Sequence, residues 1–182
     1  MSPMCSKQLF AWPALILIVF ASVTACSKTR SDASAPNAAS QSSPATASRV
    51  PKEITPAELS KLRWIEGTWR GTGGEGPPFY ERYKFENDST LLVETLADET
   101  GSKVTEESRF VLKDGHFGSG TPESGSVATA LDDKSISFAP LGKGNFFRFQ
   151  HETDNSWKAI LNWTDKNGVP KERVYLMERL KK

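Results

Sequence analysis

The sequence predicts an all-β protein, a single up-and-down antiparallel β-barrel of about 8–10 strands with a short N-terminal helix. Segments rich in β-branched and aromatic residues alternate with turn clusters at intervals of about 8–12 residues, the spacing typical of a β-sandwich or barrel. Helical periodicity does not return after residue 63, so βαβ folds are excluded. Consecutive strands joined by hairpins form a meander, and closing a meander into a barrel removes its exposed edges.

A short helix is expected just before the strands. Thr55 is a suitable N-cap, Pro56 suits the first turn, and Glu58 stands three residues after the cap, where its side chain closes a capping box. Leu59 and Leu62 then fall on one face. These features predict a helix of about two turns.

The expected strands follow this helix in close succession. Asp114-Gly115 and Asn167-Gly168 mark tight hairpins, because these residue types tolerate positive φ. Alternation is clearest in 156–164, where one face carries Trp157, Ala159, Leu161 and Trp163. The predicted strands span 63–73, 79–86, 90–97, 103–113, 116–121, 126–132, 134–139, 145–152, 156–164 and 171–180.

The first 25 residues are typical of a secretion signal. Lys7 is followed by the apolar stretch 9–23, which is shorter than the roughly 20 apolar residues of a membrane span. Small residues then precede Cys26, and Val23-Thr24-Ala25-Cys26 resembles the lipobox of bacterial lipoproteins. That resemblance implies cleavage before Cys26 and acylation of this cysteine, and Ser27 after it favours the outer membrane. The alternative is ordinary cleavage after Ala25, which leaves a soluble periplasmic protein.

The chain is expected to have three parts. Residues 1–25 form the signal peptide, 26–53 form the lipidated cysteine and a disordered tether, and 54–182 form the barrel domain. From residue 27 to residue 47 the chain has no Leu, Ile, Val or aromatic residue, so it cannot bury enough apolar surface to offset the entropy of ordering. We expect a lipid-anchored monomer that faces the periplasm from the outer membrane.

Composition excludes several classes of site. The chain has 23 basic and 22 acidic residues, so no basic excess points to nucleic acid as a partner. Its two cysteines, Cys5 and Cys26, precede the folded part, which therefore has no disulfide or thiolate metal site. Neither His116 nor His151 has a second histidine at metal-ligand spacing, and both stand where a solvated histidine is ordinary. We expect no cofactor, no metal and no catalytic residues.

The opening strand carries a motif, Trp64-Ile65-Glu66-Gly67-Thr68-Trp69-Arg70-Gly71. It resembles the Gly-x-Trp strand of the calycins, which comprise lipocalins, fatty-acid-binding proteins and bacterial lipocalin-like domains such as the nitrobindin-like ones. The resemblance covers residues 60–182, although only this strand carries the motif. It implies that Trp69 closes one barrel end beneath a C-terminal arginine, Arg179 or alternatively Arg173. Nitrobindins hold haem through a histidine in the last strands, and residues 156–182 contain none.

Candidate ligand-binding residues lie on several strands. Arg173 and Tyr175 are similar to the Arg-x-Tyr pair with which fatty-acid-binding proteins hold a carboxylate, and residues i and i+2 share a strand face. The alternative is that apolar Val174 and Leu176 face the core and turn Arg173 outward. Further candidates that could line a cavity or simply fill the core are Arg148, Tyr83 and Trp163.

The sequence leaves three functions open. The first is a non-enzymatic envelope protein that binds a small apolar or amphipathic molecule inside its barrel. The second is a barrel with a solid core that serves as an envelope scaffold or protein-interaction module. The third is an enzyme such as a haem-dependent, nitrobindin-like isomerase or a hydrolase. An inward-facing Arg173 favours the first function, and a filled interior favours the second.

Overall fold

The computed structural model describes residues 49–181, which contain a closed barrel of ten antiparallel strands. Each strand pairs with its sequence neighbours, and β1 closes the barrel against β10. This arrangement confirms the predicted up-and-down barrel and its short N-terminal helix. The strands are β1 Gly67–Thr72, β2 Phe79–Asn87, β3 Thr90–Leu96, β4 Val104–Lys113, β5 His116–Ser119, β6 Ser126–Leu131, β7 Ser135–Pro140, β8 Phe146–Thr153, β9 Ser156–Thr164 and β10 Pro170–Arg179.

The N-terminal helix caps one end of the barrel. Helix α1 spans Pro56–Leu59 and continues directly into a 3₁₀ helix, Ser60–Ile65. The predicted capping box is present, since the Glu58 amide donates to Thr55 Oγ1 at 3.2 Å and the Thr55 amide donates to Glu58 Oε2 at 3.0 Å. The predicted first strand, 63–73, began too early: Leu62 and Ile65 continue the buried helical face. Strand β1 begins only at Gly67.

The segment before the helix runs along the barrel wall. The Lys52 amide donates to the Ala128 carbonyl at 2.9 Å, and the Ile54 amide donates to the Gly115 carbonyl at 2.8 Å. Arg49 lies with its guanidinium carbon 4.8 Å from the centre of the Phe146 ring. The barrel therefore engages the chain from before Ile54, the residue at which we placed its start. The predicted signal, Cys26 and the tether as far as residue 48 lie outside the described residues.

Aromatic side chains occupy the centre of the barrel. The Trp157 ring, fully buried, contacts Trp69, Tyr83 and Phe149 with centroid separations of 6.0, 5.4 and 5.1 Å. A second group of rings continues the core across β4 to β8, and comprises Phe110, Phe117, Phe138 and Phe147. Most of these aromatic pairs meet edge-to-face or tilted, as ring quadrupoles favour. No helix among residues 49–181 has the length and apolar character needed to cross a membrane.

Candidate functional site

The two ends of the barrel differ in how far they shield its interior from solvent. At the end covered by the helix, which we call the closed end, Ile54, Leu59, Leu62 and Ile65 are at most 2% exposed. At the opposite end, which we call the mouth, inward-facing residues keep contact with solvent: Glu106 is exposed and Ser108 is half-buried. The inner wall of the barrel is therefore accessible to solvent at the mouth, whereas the helix covers it at the closed end.

Arg179 holds the closed end together. Its guanidinium carbon lies 4.1 Å from the centre of the Trp69 ring, a distance at which a cation is attracted to the ring face. Its nitrogens donate to three backbone carbonyls, those of Glu66 at 2.8 Å, Asp154 at 2.8 Å and Trp64 at 3.4 Å. One side chain therefore joins the helical cap, the β8–β9 hairpin and β1, and the structure places Arg179, rather than Arg173, over Trp69.

The two glycines of the opening motif make room for neighbouring side chains. A Cβ at Gly67 would lie 2.1 Å from Arg179 Nη1, and Gly67 has a φ of +140°, which disfavours other residues. A Cβ at Gly71 would lie 2.2 Å from the Phe79 ring. The Gly-x-Trp-x-Gly pattern thus accommodates an arginine on one side of Trp69 and a phenylalanine on the other.

A half-buried carboxyl, that of Glu81, lies on the inner wall in the mouth half of the barrel. Glu81 stands between Phe79 and Tyr83 on the inner face of β2, in register with Trp69 on β1 and Thr95 on β3. The Tyr83 hydroxyl donates to Glu81 Oε2 at 2.7 Å. Sequence reasoning missed Glu81, although a glutamate in the apolar phase of the alternating β2 sequence was a usable signal.

Burial governs the protonation of this pair. Desolvation raises the pKa of the Glu81 carboxyl, the negative charge of Glu106 adds to that rise, and the hydrogen bond from Tyr83 partly opposes it. Desolvation and the adjacent Glu81 charge raise the pKa of the Tyr83 hydroxyl well above its usual range. Tyr83 therefore remains a hydrogen-bond donor at physiological pH.

A second carboxyl, that of Glu106, lies on the inner face of β4. The register runs from Glu81 through Thr95 to Glu106, so the two carboxyls lie on the same inner face with one strand between them. Glu107, next in sequence, faces outward and pairs with Arg109 at 3.4 Å. Adjacent residues of a strand point to opposite faces, so Glu106 and Glu107 cannot act together on one ligand.

The rim of the mouth holds three of the predicted ligand-binding residues, Arg173, Tyr175 and Trp163. Arg173 and Tyr175 share the inner face of β10 with buried Met177, and Val174 and Leu176 are each 37% exposed on the outer face. The alternative in which apolar Val174 and Leu176 turn Arg173 outward is therefore wrong.

Arg173 and Tyr175 also make aromatic and polar contacts at the rim. The Arg173 guanidinium carbon lies 5.8 Å from the centre of the Trp163 ring. The Tyr175 ring packs edge-on against Phe79 at 5.5 Å. The interaction with the Tyr175 hydroxyl raises the pKa of Arg173 above its already high value. Arg173 is thus charged and held against aromatic side chains.

Two other residues lie elsewhere than expected. Arg148 is exposed on the outer face of β8, where it bonds Gln150, because its inward-facing neighbours Phe147 and Phe149 take the core positions. It therefore does not line the interior. His151 is not a solvated histidine: its ring lies 5.1 Å from Trp64 at the closed end, and within residues 49–181 its buried Nε2 atom has no hydrogen-bond partner.

Two open grooves flank Arg179 on the outer surface of the closed end. Their volumes are about 480 and 440 Å³, and each is lined mainly by charged and polar side chains, Arg70 and Glu178 in one, Arg82 and Lys84 in the other. Arg70 pairs with Glu178 at 3.5 Å, and Arg82 pairs with Glu94. Across residues 49–181, no group of three His, Cys, Asp or Glu side chains is placed to hold a metal.

Comparisons with known proteins add little to this geometry. No protein-family model matches the chain, and no curated protein matches it. Among solved structures, a redesigned beta barrel is 14% identical, with a TM-score of 0.31, over 65% of this chain and 94% of that one. The protein EF1p2_mFAP2b bound to DFHBI is 11% identical, with a TM-score of 0.35, over 67% of this chain and 98% of that one. The class of protein is defined by its own topology, a closed ten-stranded up-and-down barrel compatible with the calycin resemblance.

Proposed function

We propose that this protein is a lipid-anchored binding protein of the bacterial cell envelope, whose barrel takes a small amphipathic molecule at its mouth. The ligand's apolar part rests on the aromatic side chains at the bottom of the mouth, and its polar part meets the groups on the inner wall. Binding sites commonly combine an apolar lining with a few placed polar groups. No catalytic step is part of this proposal.

The observation that carries the proposal is the Glu81–Tyr83 pair on the inner wall. A half-buried carboxyl beside aromatic side chains is costly, because partial loss of solvent opposes its ionisation, and a purely structural barrel gains stability from an apolar residue at that position. Ionisable groups with shifted pKa values inside a concave site are typical of functional sites. Among residues 49–181, Glu81 accepts a side-chain hydrogen bond at Oε2, from Tyr83.

Ligand binding is tested by native mass spectrometry of the detergent-extracted protein. We expect a small molecule to co-purify with the wild-type chain and to be lost from Ser108→Trp, which fills the mouth from the inner face of β4. The matched control is Val111→Trp on the same strand, where the side chain is 41% exposed on the outer face. Retention of the ligand by Ser108→Trp, or a ligand-free wild type that also binds no added small molecule, would overturn the mouth as the binding site.

The anchoring part of the proposal rests on Val23-Thr24-Ala25-Cys26. Two or more acyl chains hold a protein on a membrane stably, whereas one chain gives only marginal binding. Cys26→Ser should therefore move the protein from the membrane fraction to the soluble fraction and abolish palmitate incorporation. Continued palmitate labelling of Cys26→Ser would show that the lipobox interpretation is wrong.

One observation favours the second candidate, an envelope scaffold with a solid core. The rings of Phe138 and Phe147 stack at 4.5 Å, and Phe110 contacts Phe138 at 5.1 Å, so the middle of the barrel is filled. A scaffold would engage partners through its outer surface instead. In that case Ser108→Trp would leave both small-molecule content and cellular partners unchanged.

A further inference from the structure

We propose that one side of the barrel rests on the surface of an anionic lipid bilayer. This side is the outer face of β8, β9 and β10, towards the mouth. The inference rests on the proposed function, because it takes the chain to be anchored at Cys26 and names the face of the barrel that the anchor brings to the lipid.

The outer faces of these strands carry a row of apolar side chains, which we call the apolar strip and which comprises Phe146, Ile160, Val174 and Leu176. Val174 lies directly opposite Ile160 in the pairing of β10 with β9. Phe146 stands two positions before Arg148, the residue opposite Ile160, so Phe146 is a diagonal neighbour of Ile160. Leu176 follows Val174 on the same face of β10. The strip therefore crosses three neighbouring strands without interruption.

Exposed apolar side chains are concentrated around this strip. Among residues 49–181, six large apolar side chains are exposed. Five of them belong to the strip, to the mouth turns beside it or to the segment that reaches it, namely Val174, Leu176, Leu141, Val169 and Val50. The sixth, Val111 on β4, stands apart, with Thr90 and Gly118 opposite it on the neighbouring strands. Single apolar residues are normal on a surface, whereas a group of them is typical of an interface.

The segment that leads to the predicted anchor reaches the barrel at this strip. The Arg49 guanidinium carbon lies 4.8 Å from the centre of the Phe146 ring, at the mouth end of the strip. Residues 1–48 contain the predicted signal, Cys26 and the predicted tether. An acylated Cys26 would make contact with the bilayer an intramolecular event, so that weak attraction by the adjoining face suffices for docking.

The charge around the strip complements an anionic surface. Residues 49–181 contain 19 basic and 21 acidic residues, but the mouth half of this side has an excess of basic ones. Its basic residues are Arg49, Lys143, Arg148, Lys166 and Lys171. Its acidic residues are Asp165, which pairs with Lys171 at 3.8 Å, and Glu172. Each basic residue near an anionic bilayer contributes to attraction.

Apolar side chains flanked by cations favour a bilayer over a second copy of this chain as the occupant. At a membrane surface, the apolar groups enter the boundary between headgroups and acyl chains, and the cations meet the lipid phosphates. Two copies that met through this side would bring their excess positive charges together, because an isologous interface uses the same patch on both subunits.

The test locates an introduced cysteine on vesicles that carry the acylated full chain. Cys5 would leave with the predicted signal and Cys26 would be acylated, so Val174→Cys or Val111→Cys supplies one free thiol for a fluorescent label. The two positions are matched, since both are outward-facing valines within a strand, 37% and 41% exposed. The vesicles contain phosphatidylglycerol and phosphatidylethanolamine, with a small fraction of nitroxide-labelled lipid that quenches a fluorophore on contact.

We expect quenching of the label at Val174→Cys and none at Val111→Cys. Leu176→Cys provides a second position on the strip if Val174→Cys does not fold. Adding Lys143→Gln to Val174→Cys should lower the ratio of docked to undocked molecules about fivefold, the effect of one basic residue near an anionic surface. Lys113→Gln, which removes an exposed basic residue of β4, is the control and should leave that ratio unchanged.

Vesicle flotation separates failure of the docking from failure of the anchor. If the wild type floats with the vesicles but the two labels are quenched equally, or neither is quenched, the docking inference fails and the anchoring stands. If the wild type does not float, the anchoring fails and the docking inference fails with it. If the label at Val174→Cys becomes shielded without vesicles as the protein concentration rises, the strip binds a second copy, and docking on a bilayer is overturned.

Discussion

Replacing Trp69 by alanine should bring the barrel close to unfolding. The Trp69 side chain is 1% exposed, and a buried tryptophan removes roughly 150–250 Å² from water. Its Nε1 donates to the Ile65 carbonyl at 2.7 Å, and its ring face receives Arg179. Truncating a buried tryptophan lowers the free energy of unfolding by about 3–5 kcal/mol, and this loss includes the contribution of the hydrogen bond. Small domains have about 5–15 kcal/mol of stability in total.

The assay is urea unfolding followed by circular dichroism, with Trp163→Ala as the matched control. Trp163 is a half-buried tryptophan at the mouth, so its truncation should cost less than about 1.5 kcal/mol. Arg179→Ala should cost about 2–3 kcal/mol, since it removes charge-assisted bonds to three carbonyls. The double variant should cost less than the sum of the two single variants, because the side chains touch. A loss below about 1 kcal/mol in Trp69→Ala would show that this ring does not close the barrel.

Two further outcomes follow from the same geometry. Gly67→Ala should destabilise the fold by about 1–3 kcal/mol in urea unfolding, because its φ of +140° strains other residues and the new methyl group meets Arg179. Gly76→Ala, where a Cβ would meet nothing within 4 Å, is the control and should change stability by less than about 0.5 kcal/mol. The second outcome concerns pH. Because burial raises the pKa of Glu81 in the folded protein, the folded state keeps a proton that the unfolded chain releases above about pH 4.3. The wild type should therefore lose stability relative to Glu81→Gln as the pH rises through the folded pKa, in urea unfolding measured between about pH 4 and pH 8. A constant difference between the two across that range would contradict a raised pKa of Glu81 in the folded protein.

Local signals predicted most of the fold. The Asp114-Gly115 dipeptide forms the expected hairpin, with φ values of 50° and 79°, because only residues that tolerate positive φ fit such a turn. The capping box at Thr55 and Glu58 predicted the helix start. Short-range rules of this kind work because they depend on the few residues that form the turn or cap.

The direction in which β10 faces could not be predicted from its own residues. Val174 and Leu176 form the more apolar set, yet the register with β9 places Arg173 opposite Leu161 and Met177 opposite Trp157, on the inner face. Met177 is fully buried and so requires an apolar side chain, whereas Arg173 lies at the rim and remains partly exposed to solvent. Towards an open mouth, the inner face of a barrel therefore changes from apolar to polar. A rule that assigns the more apolar face of a strand to the interior assumes uniform burial and is wrong near the mouth.

The path of residues 49–54 bears on how an anchored barrel would be oriented. From Ile54 at the closed end, the chain runs back past Ala128 to Arg49, which contacts Phe146 at the start of β8, on the side of the mouth. A tether joined to Arg49 would therefore hold the barrel from its mouth side. Under the proposed anchoring at Cys26, the mouth rather than the closed end would lie on the side of the barrel nearer the membrane, and a molecule that partitions into the bilayer surface would meet it before one dissolved in bulk solvent.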